Sequence, residues 1–101
     1  MLTSGQRAQL KSLASGLNPV IMVGKNGITD NLKNETENSL RAHELIKGRV
    51  LDSSPLTASE ALEKLARECC AEPVQAIGSK FVLYKENTEI PYEKRIKLNK
   101  K

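Results

Sequence analysis

The tetrapeptide Gly24-Lys25-Asn26-Gly27 places two glycines between an apolar run and the beginning of a helix. Glycine has no Cβ atom, so the backbone can turn sharply there and come close to another molecule. The apolar run, residues 20–23, is typical of a short buried strand, and Thr29 or Asp30 marks the helix start. The tetrapeptide therefore predicts a strand-loop-helix unit, in which the loop lies at the N-terminal end of the helix.

The tetrapeptide alone leaves two interpretations open. A helix N-terminus offers unpaired N–H groups and the positive end of the helix dipole, and Lys25 adds a full charge. The loop is therefore a candidate clamp for a nucleic-acid backbone, formed by Gly24, Lys25, Asn26 and Gly27. A purely structural turn is the alternative, because Asn-Gly is a common turn dipeptide. The sequence has neither the G-x-G-x-x-G of dinucleotide folds nor a phosphate loop ending in Gly-Lys-Ser/Thr, so a nucleotide-hydrolysing enzyme is not supported.

The length and composition of the chain indicate one globular domain. A chain of 101 residues has room for one modest core, and 39% hydrophobic with 28% charged residues is typical of soluble proteins. No apolar stretch approaches the roughly 20 residues of a membrane span, and the N-terminus has no signal-peptide apolar region. We therefore expect a cytoplasmic protein without a membrane partner.

Cysteine and histidine usage gives no sign of a metal site or a cofactor. Cys69 and Cys70 are adjacent on a predicted helix, where neighbours point about 100° apart and a disulfide would be strained. His43 is the single histidine, so these residues are too few for a metal site. We expect no catalytic residue, no metal and no cofactor.

Capping signals and hydrophobic spacing predict seven elements in the order α-β-α-β-α-β-β. Capping boxes, Thr3-x-x-Gln6 and Thr57-x-x-Glu60, begin the first and third helices, and Pro73 is interpreted as the end of the third. The predicted strands are residues 20–23, 45–51, 74–77 and 81–84, with a tight hairpin at 78–80. Since each β-α-β crossover should give parallel neighbours, we expect a two-layer α/β domain with a four-stranded mixed sheet.

Two of these elements carry further predictions. Leu10, Leu13, Ala14 and Leu17 form one apolar stripe on the first helix. In the second strand Lys47 and Arg49 alternate with apolar residues, so one face of this strand should be basic. Gly48 lies at its centre, where glycine weakens a strand.

Basic residues are concentrated at both ends of the chain, within a net charge of +4. Residues 1–29 carry three basic residues and no acid, residues 30–76 six basic and nine acidic, and residues 77–101 seven basic and three acidic. This asymmetry points to an anionic partner for the two ends, although a solvated surface with a basic tail would have the same composition.

The last sixteen positions are interpreted as a basic tail, residues 86–101, beyond a domain at residues 1–85. The segment from residue 94 onward holds five basic residues, Lys94, Arg95, Lys97, Lys100 and Lys101. We expect this segment to be mobile and to add non-specific attraction for an anionic partner. The alternative is that Ile96 and Leu98 add an edge strand to the sheet.

Four segments of the chain, at residues 10–14, 18–29, 43–47 and 74–84, read LKSLA, NPVIMVGKNGIT, HELIK and VQAIGSKFVLY. In sequence and order they closely resemble the YhbY family of bacterial RNA-binding proteins, the stand-alone form of the CRM (chloroplast RNA splicing and ribosome maturation) domain. The resemblance covers roughly residues 2–85. It implies an α-β-α-β-α-β-β fold similar to the C-terminal domain of translation initiation factor three, RNA binding, and an association with precursors of the large ribosomal subunit.

The resulting hypothesis is a non-enzymatic, monomeric protein whose loop clamps rRNA in large-subunit precursor particles. Arg7 and Lys11 on the first helix and Lys33 early in the second would widen the contact. Aromatic residues are too scarce for a platform of stacked bases. A protein-interaction module that binds a basic ribosomal protein through the acidic middle segment is the alternative. A small phosphotransfer or nucleotide enzyme lacks a nucleophile–base pair or metal cluster to support it.

Overall fold

The computed structural model describes residues 2–87, 89–91 and 95–97, which form three helices and one sheet. The helices are α1 (Ser4–Ala14), α2 (Asp30–His43) and α3 (Ala58–Glu68). The strands are β1 (Ile21–Val23), β2 (Leu45–Val50), β3 (Glu72–Ile77) and β4 (Lys80–Tyr84). The predicted order of elements is confirmed. In this part of the chain, no helix combines the length and the apolar character that crossing a membrane requires.

The sheet has the strand order β1-β2-β4-β3. β1 and β2 are parallel, whereas β4 is antiparallel to both β2 and β3. The predicted four-stranded mixed sheet is therefore confirmed. The second crossover differs from the prediction, because β4 lies between β2 and β3, so these two strands are not neighbours.

Helices cover both faces of the sheet. Successive side chains of a strand point to opposite faces, and β4 shows this alternation within the core. Phe81 and Leu83 pack in the cluster that contains residues of α2 and α3, whereas Val82 and Tyr84 pack in a second cluster with Leu10 of α1. The domain consequently has three layers where two were predicted. Spacing along a helix shows which side is apolar but not which face of a sheet receives it.

The predicted stripe on α1 is only half buried. Leu10 and Ala14 lie in the core, whereas Leu13 is 48% and Leu17 38% exposed. The helix itself ends at Ala14, so Leu17 lies beyond it. By contrast, the predicted stripe of α3 is buried at all four positions, Leu62, Leu65, Ala66 and Cys69.

The end of α3 is set by a backbone conformation and not by proline. Cys70 has φ of 55°, and the Ala71 N–H donates to the Ala66 carbonyl at 2.8 Å. A 6→1 bond around a left-handed residue is the Schellman motif that closes many helices. Pro73 lies inside β3, which pairs on one side with β4, so its interpretation as the helix stop is wrong. β3 is an edge strand, where a missing N–H is tolerated.

Gly48 is needed at the centre of β2 because the Phe81 ring lies directly over it. The two residues are paired in the register of β2 and β4. A Cβ atom at Gly48 would clash with the outer end of the ring, because three ring atoms, Cζ, Cε1 and Cε2, all lie within 2.8 Å of it. The loss of strand propensity at this glycine is thus accompanied by close packing of a large buried side chain.

The buried carboxylate of Glu44 anchors the segment that follows β4. Glu44 is 1% exposed, and its two oxygens accept hydrogen bonds of 2.8 Å from the backbone N–H groups of Asn87 and Ile96. Its carbonyl accepts a third, also of 2.8 Å, from the Lys85 N–H. Glu44 has φ of 63°, a strained value for a residue with a side chain, and these bonds offset that strain.

Residues 95–97 are packed on the domain, contrary to the expectation of a mobile tail. Ile96 packs against the core cluster of α1, and the Lys97 carbonyl accepts a 2.6 Å hydrogen bond from the Gln9 side chain. These three residues are not in a strand, so the edge-strand alternative also fails for Ile96. The rest of that prediction, on Lys94, Leu98, Lys100 and Lys101, lies outside the described residues.

We predict that Gly48→Ala destabilises the protein by about 1–3 kcal/mol, because the added methyl group must displace the Phe81 ring. Gly16→Ala is the matched control, since a Cβ there has nothing within 4 Å. Urea denaturation followed by circular dichroism measures both. Equal unfolding midpoints for the two variants would show that packing of the Phe81 ring does not require glycine at position 48.

Glu44→Gln should lower the free energy of unfolding by about 1–3 kcal/mol, because one of two buried backbone N–H groups then faces an NH₂ instead of an oxygen. Amide exchange at Asn87 and Ile96 should become faster in the same variant. Glu86→Gln is the control, because the Glu86 side chain is 67% exposed and its 4.0 Å contact with Arg95 contributes little. Unchanged exchange at Ile96 would contradict the anchoring role.

Candidate nucleic-acid interface

The G-x-x-G loop is a tight turn between β1 and α2. The Gly27 N–H donates to the Gly24 carbonyl at 3.0 Å, and Gly27 has φ of +66°. A Cβ atom at Gly27 would meet its neighbours no closer than 3.8 Å. Glycine is thus required at this position by the backbone conformation and not by lack of space.

Gly24 has no such requirement. Its φ lies outside the left-handed region, and a Cβ atom there would meet only the Leu51 Cδ1 atom, at 3.9 Å. An alanine would therefore fit the fold at this position. A structural turn accounts for Gly27 but leaves Gly24 unexplained, whereas close approach of another molecule would account for Gly24.

The N-terminus of α2 is capped from within the chain. Thr29 Oγ1 accepts a 3.1 Å hydrogen bond from the Leu32 N–H, and Asp30 places a carboxylate in the first turn. Both features offset the positive end of the helix dipole. An anion at this loop would consequently be attracted mainly by Lys25, which is exposed, and by the turn's own backbone.

The structure does not bring the seven predicted site residues together on one surface. Lys25 and Asn26 are exposed between the two loop glycines, and Lys11 lies in a cleft between α1 and the sheet. Arg7 borders a different cleft, between α3 and the edge strand β3. Lys33 belongs to the opposite helical layer, where its carbonyl lies 4.0 Å from Cys69 Sγ. Whether these residues bind RNA stays a prediction.

A row of side chains across the sheet adds two cations that the sequence analysis did not place at the site. Strand register aligns four residues, one from each strand, on the face covered in part by α1: Met22, Arg49, Lys80 and Ile77. All four are exposed. The alternation in β2 predicted its basic face, but no local pattern could align Lys80 with Arg49, because that depends on the pairing of distant strands.

The aromatic residues offer no stacking surface in the described part of the chain. Phe81 is 1% and Tyr84 4% exposed, which confirms their predicted packing role. Burial raises the pKa of Tyr84 to about 12, and the negative charge of Glu44 adds to this effect. Tyr92 lies outside the described residues. In the described part of the chain, an anionic ligand would thus meet cations, backbone and aliphatic side chains.

The two cysteines are free thiols in different surroundings. Cys69 is buried and its thiol pKa is raised, chiefly by that burial, while Cys70 is exposed. Within the described ranges, no group of three or more histidine, cysteine, aspartate or glutamate side chains is placed to hold a metal ion.

The two loop glycines should respond differently to the same substitution. Gly27→Ala should cost about 1–2 kcal/mol, because a side chain is unfavourable in the left-handed region. Gly24→Ala should leave the free energy of unfolding within about 0.5 kcal/mol of its original value. Thermal and urea denaturation measure the stability of both variants. An equal loss of stability in the two would contradict the left-handed conformation of Gly27.

Comparison with known proteins agrees with this architecture. The model of the CRS1 / YhbY (CRM) domain matches residues 2–85. An RNA-binding protein of Haemophilus influenzae is 42% identical over 88 residues, which are 87% of this chain and 89% of that protein. The probable RNA-binding protein YqeI of Bacillus subtilis is 39% identical over 89 residues, 88% of this chain and 93% of that one.

A solved structure shows the same fold. The solution structure of the hypothetical protein SAV1595 from Staphylococcus aureus aligns with 98% of this chain and 100% of its own, at 35% identity and a TM-score of 0.77. The matched family model, the similar sequences and the shared fold lead to one conclusion: the chain belongs to the CRS1 / YhbY (CRM) domain family.

Proposed function

We propose that this protein binds RNA without catalysing a reaction, through the G-x-x-G loop and the basic row beside it, which consists of Arg49 and Lys80. The observation that carries the proposal is Gly24, a glycine that the fold does not need, next to the exposed Lys25. A missing side chain beside a free cation suits the approach of a phosphate to the backbone. The relatives named as RNA-binding proteins support the same partner.

The loop and the basic row are close enough to serve one strand of RNA. The Leu51 N–H donates to the Val23 carbonyl at 2.9 Å, and the Val50 N–H donates to the Ser79 carbonyl at 2.7 Å. These bonds hold the G-x-x-G loop and the β3–β4 hairpin at the same end of the sheet. Lys80 follows that hairpin at the start of β4. Because β4 is two strands away from β1 in the sheet, Lys80 lies about 10 Å from β1.

Binding of this kind would depend on the RNA backbone more than on its sequence. Phosphate contacts by lysine, arginine and backbone N–H groups position a protein on nucleic acid but carry little sequence information. The described aromatic residues are buried and cannot stack on bases. We therefore expect a strong dependence on salt and modest differences in affinity between RNA sequences.

The RNA that we propose is rRNA in large-subunit precursor particles, bound by a monomer in the cytoplasm. The support is the resemblance of residues 10–14, 18–29, 43–47 and 74–84 to bacterial proteins associated with those precursors. Crosslinking the protein in cells and sequencing the attached RNA tests this assignment. Reads concentrated in large-subunit rRNA precursors are expected, and reads spread over messenger RNAs would contradict it.

One observation favours a protein partner as the second candidate. Leu13, Leu17 and Val20 are 48%, 38% and 49% exposed and line a common apolar groove. A ribosomal protein could bind there while RNA contacts the loop. In that case Leu13→Ser should weaken association with precursor particles but leave the affinity for free RNA unchanged.

Lys25→Ala should weaken RNA binding several-fold and lower the slope of log affinity against log salt by ~1, because one phosphate contact is lost. Lys64→Ala on α3 is the matched control and should change neither quantity. Filter-binding titrations at several salt concentrations measure both variants, and urea denaturation should show that both remain folded. Identical salt slopes for the two variants would remove Lys25 from the site.

A further inference from the structure

A cleft between α1 and the sheet has the properties of a site for a single nucleotide. Its volume is about 410 Å³, within the range of pockets that hold small molecules. Three lysines border it, Lys11 from α1, Lys47 from β2 and Lys80 from β4. Between them lie the half-buried Gln75 and two apolar side chains, Ile77 and Val82.

No acidic side chain among the described residues balances the charge of the cleft. Its lining contains three lysines and no acidic residue. Among the residues that the structure describes, none of these lysines forms an ion pair with a carboxylate. Three lysines around one cleft keep a positive potential that an anionic ligand would neutralise.

The interior of the cleft suits a nucleobase better than a bare phosphate. Val82 is buried and forms an apolar floor, while Ile77 is 65% exposed at the rim. The side-chain amide of Gln75, which has no hydrogen-bond partner in the described part of the chain, can both donate and accept. Apolar contact with a base face and an amide at its edge are typical of the recognition of unpaired bases.

We propose that this cleft holds one unpaired nucleotide of the RNA that the loop binds, with its base against Val82 and Ile77 and its edge at Gln75. The flanking phosphates lie at Lys11, Lys47 and Lys80. This inference rests on the proposed function, because the same RNA strand runs from Lys25 along the basic row to Lys80. Because of this cleft, the protein prefers RNA that contains an unpaired nucleotide over a continuous duplex.

Ser12→Phe tests the proposal, because Ser12 is exposed on α1 and lines the cleft, so the ring fills it without changing its charge. The matched control is Ala8→Phe, an exposed position of the same helix outside the cleft lining. The probes are a short single-stranded RNA of mixed sequence and a blunt RNA duplex of the same length. Ser12→Phe should bind the single strand about tenfold more weakly and with a smaller salt slope, because the flanking phosphates then lose the three lysines. Its affinity for the duplex should be unchanged.

Gln75→Leu provides a second variant that leaves the cleft open. It should alter the ranking of affinities among the four homopolymeric RNAs, because the polar group at the base edge is gone. If both variants bind the single strand as the original protein does, while Lys25→Ala is weakened, the nucleotide site is wrong and the proposed function stands. If Ser12→Phe weakens binding to the single strand and to the duplex equally, the nucleotide site is also wrong. If the original protein binds neither probe, the proposed function itself fails.

Discussion

The contact between the Phe81 ring and Gly48 fixes the centre of the sheet, and the candidate site depends on that centre. β2 is the strand that joins the parallel pair with β1 to the antiparallel pair with β4. A ring seated over a glycine allows one register of β2 against β4, since any shift would place the ring on a side chain. The same register aligns Arg49 with Lys80 and keeps the G-x-x-G loop and the β3–β4 hairpin at one end.

The two faces of the sheet have different roles. α2 and α3 cover the face that holds Phe81 and Leu83 and bury most of the core. α1 covers the other face in part, which leaves Met22 and Arg49 exposed beside a cleft lined by lysines. Glu44 then binds the chain after β4 and brings Ile96 against α1. The incomplete cover by α1 creates the basic surface on which both proposals rest.

Local signals predicted most of the fold. Capping boxes at Thr3 and Thr57 set two helix starts, and the hairpin at Gly78 joined two apolar strands as predicted. The features of the fold that the sequence did not predict depend on tertiary structure. The end of α3 requires a left-handed conformation at Cys70, and the third layer depends on which face of the sheet α1 packs against. In the sequence, Glu44 cannot be told from an exposed acid at a helix end, although it is buried. For the candidate site, residue spacing predicted the loop and the basic face of β2. The position of Lys80 beside Arg49 is known only from the register of β2 and β4.

In the proposed complex, RNA contacts the loop and the α1 face of the sheet and avoids the α2 and α3 layer. Photocrosslinking of the full chain to RNA, followed by mass spectrometry of the crosslinked peptides, tests it most directly. Crosslinks are expected in the loop at residues 24–27, in β2 near Arg49 and in the hairpin that leads to Lys80. Crosslinks confined to α2 and α3, with none in these three segments, would contradict it.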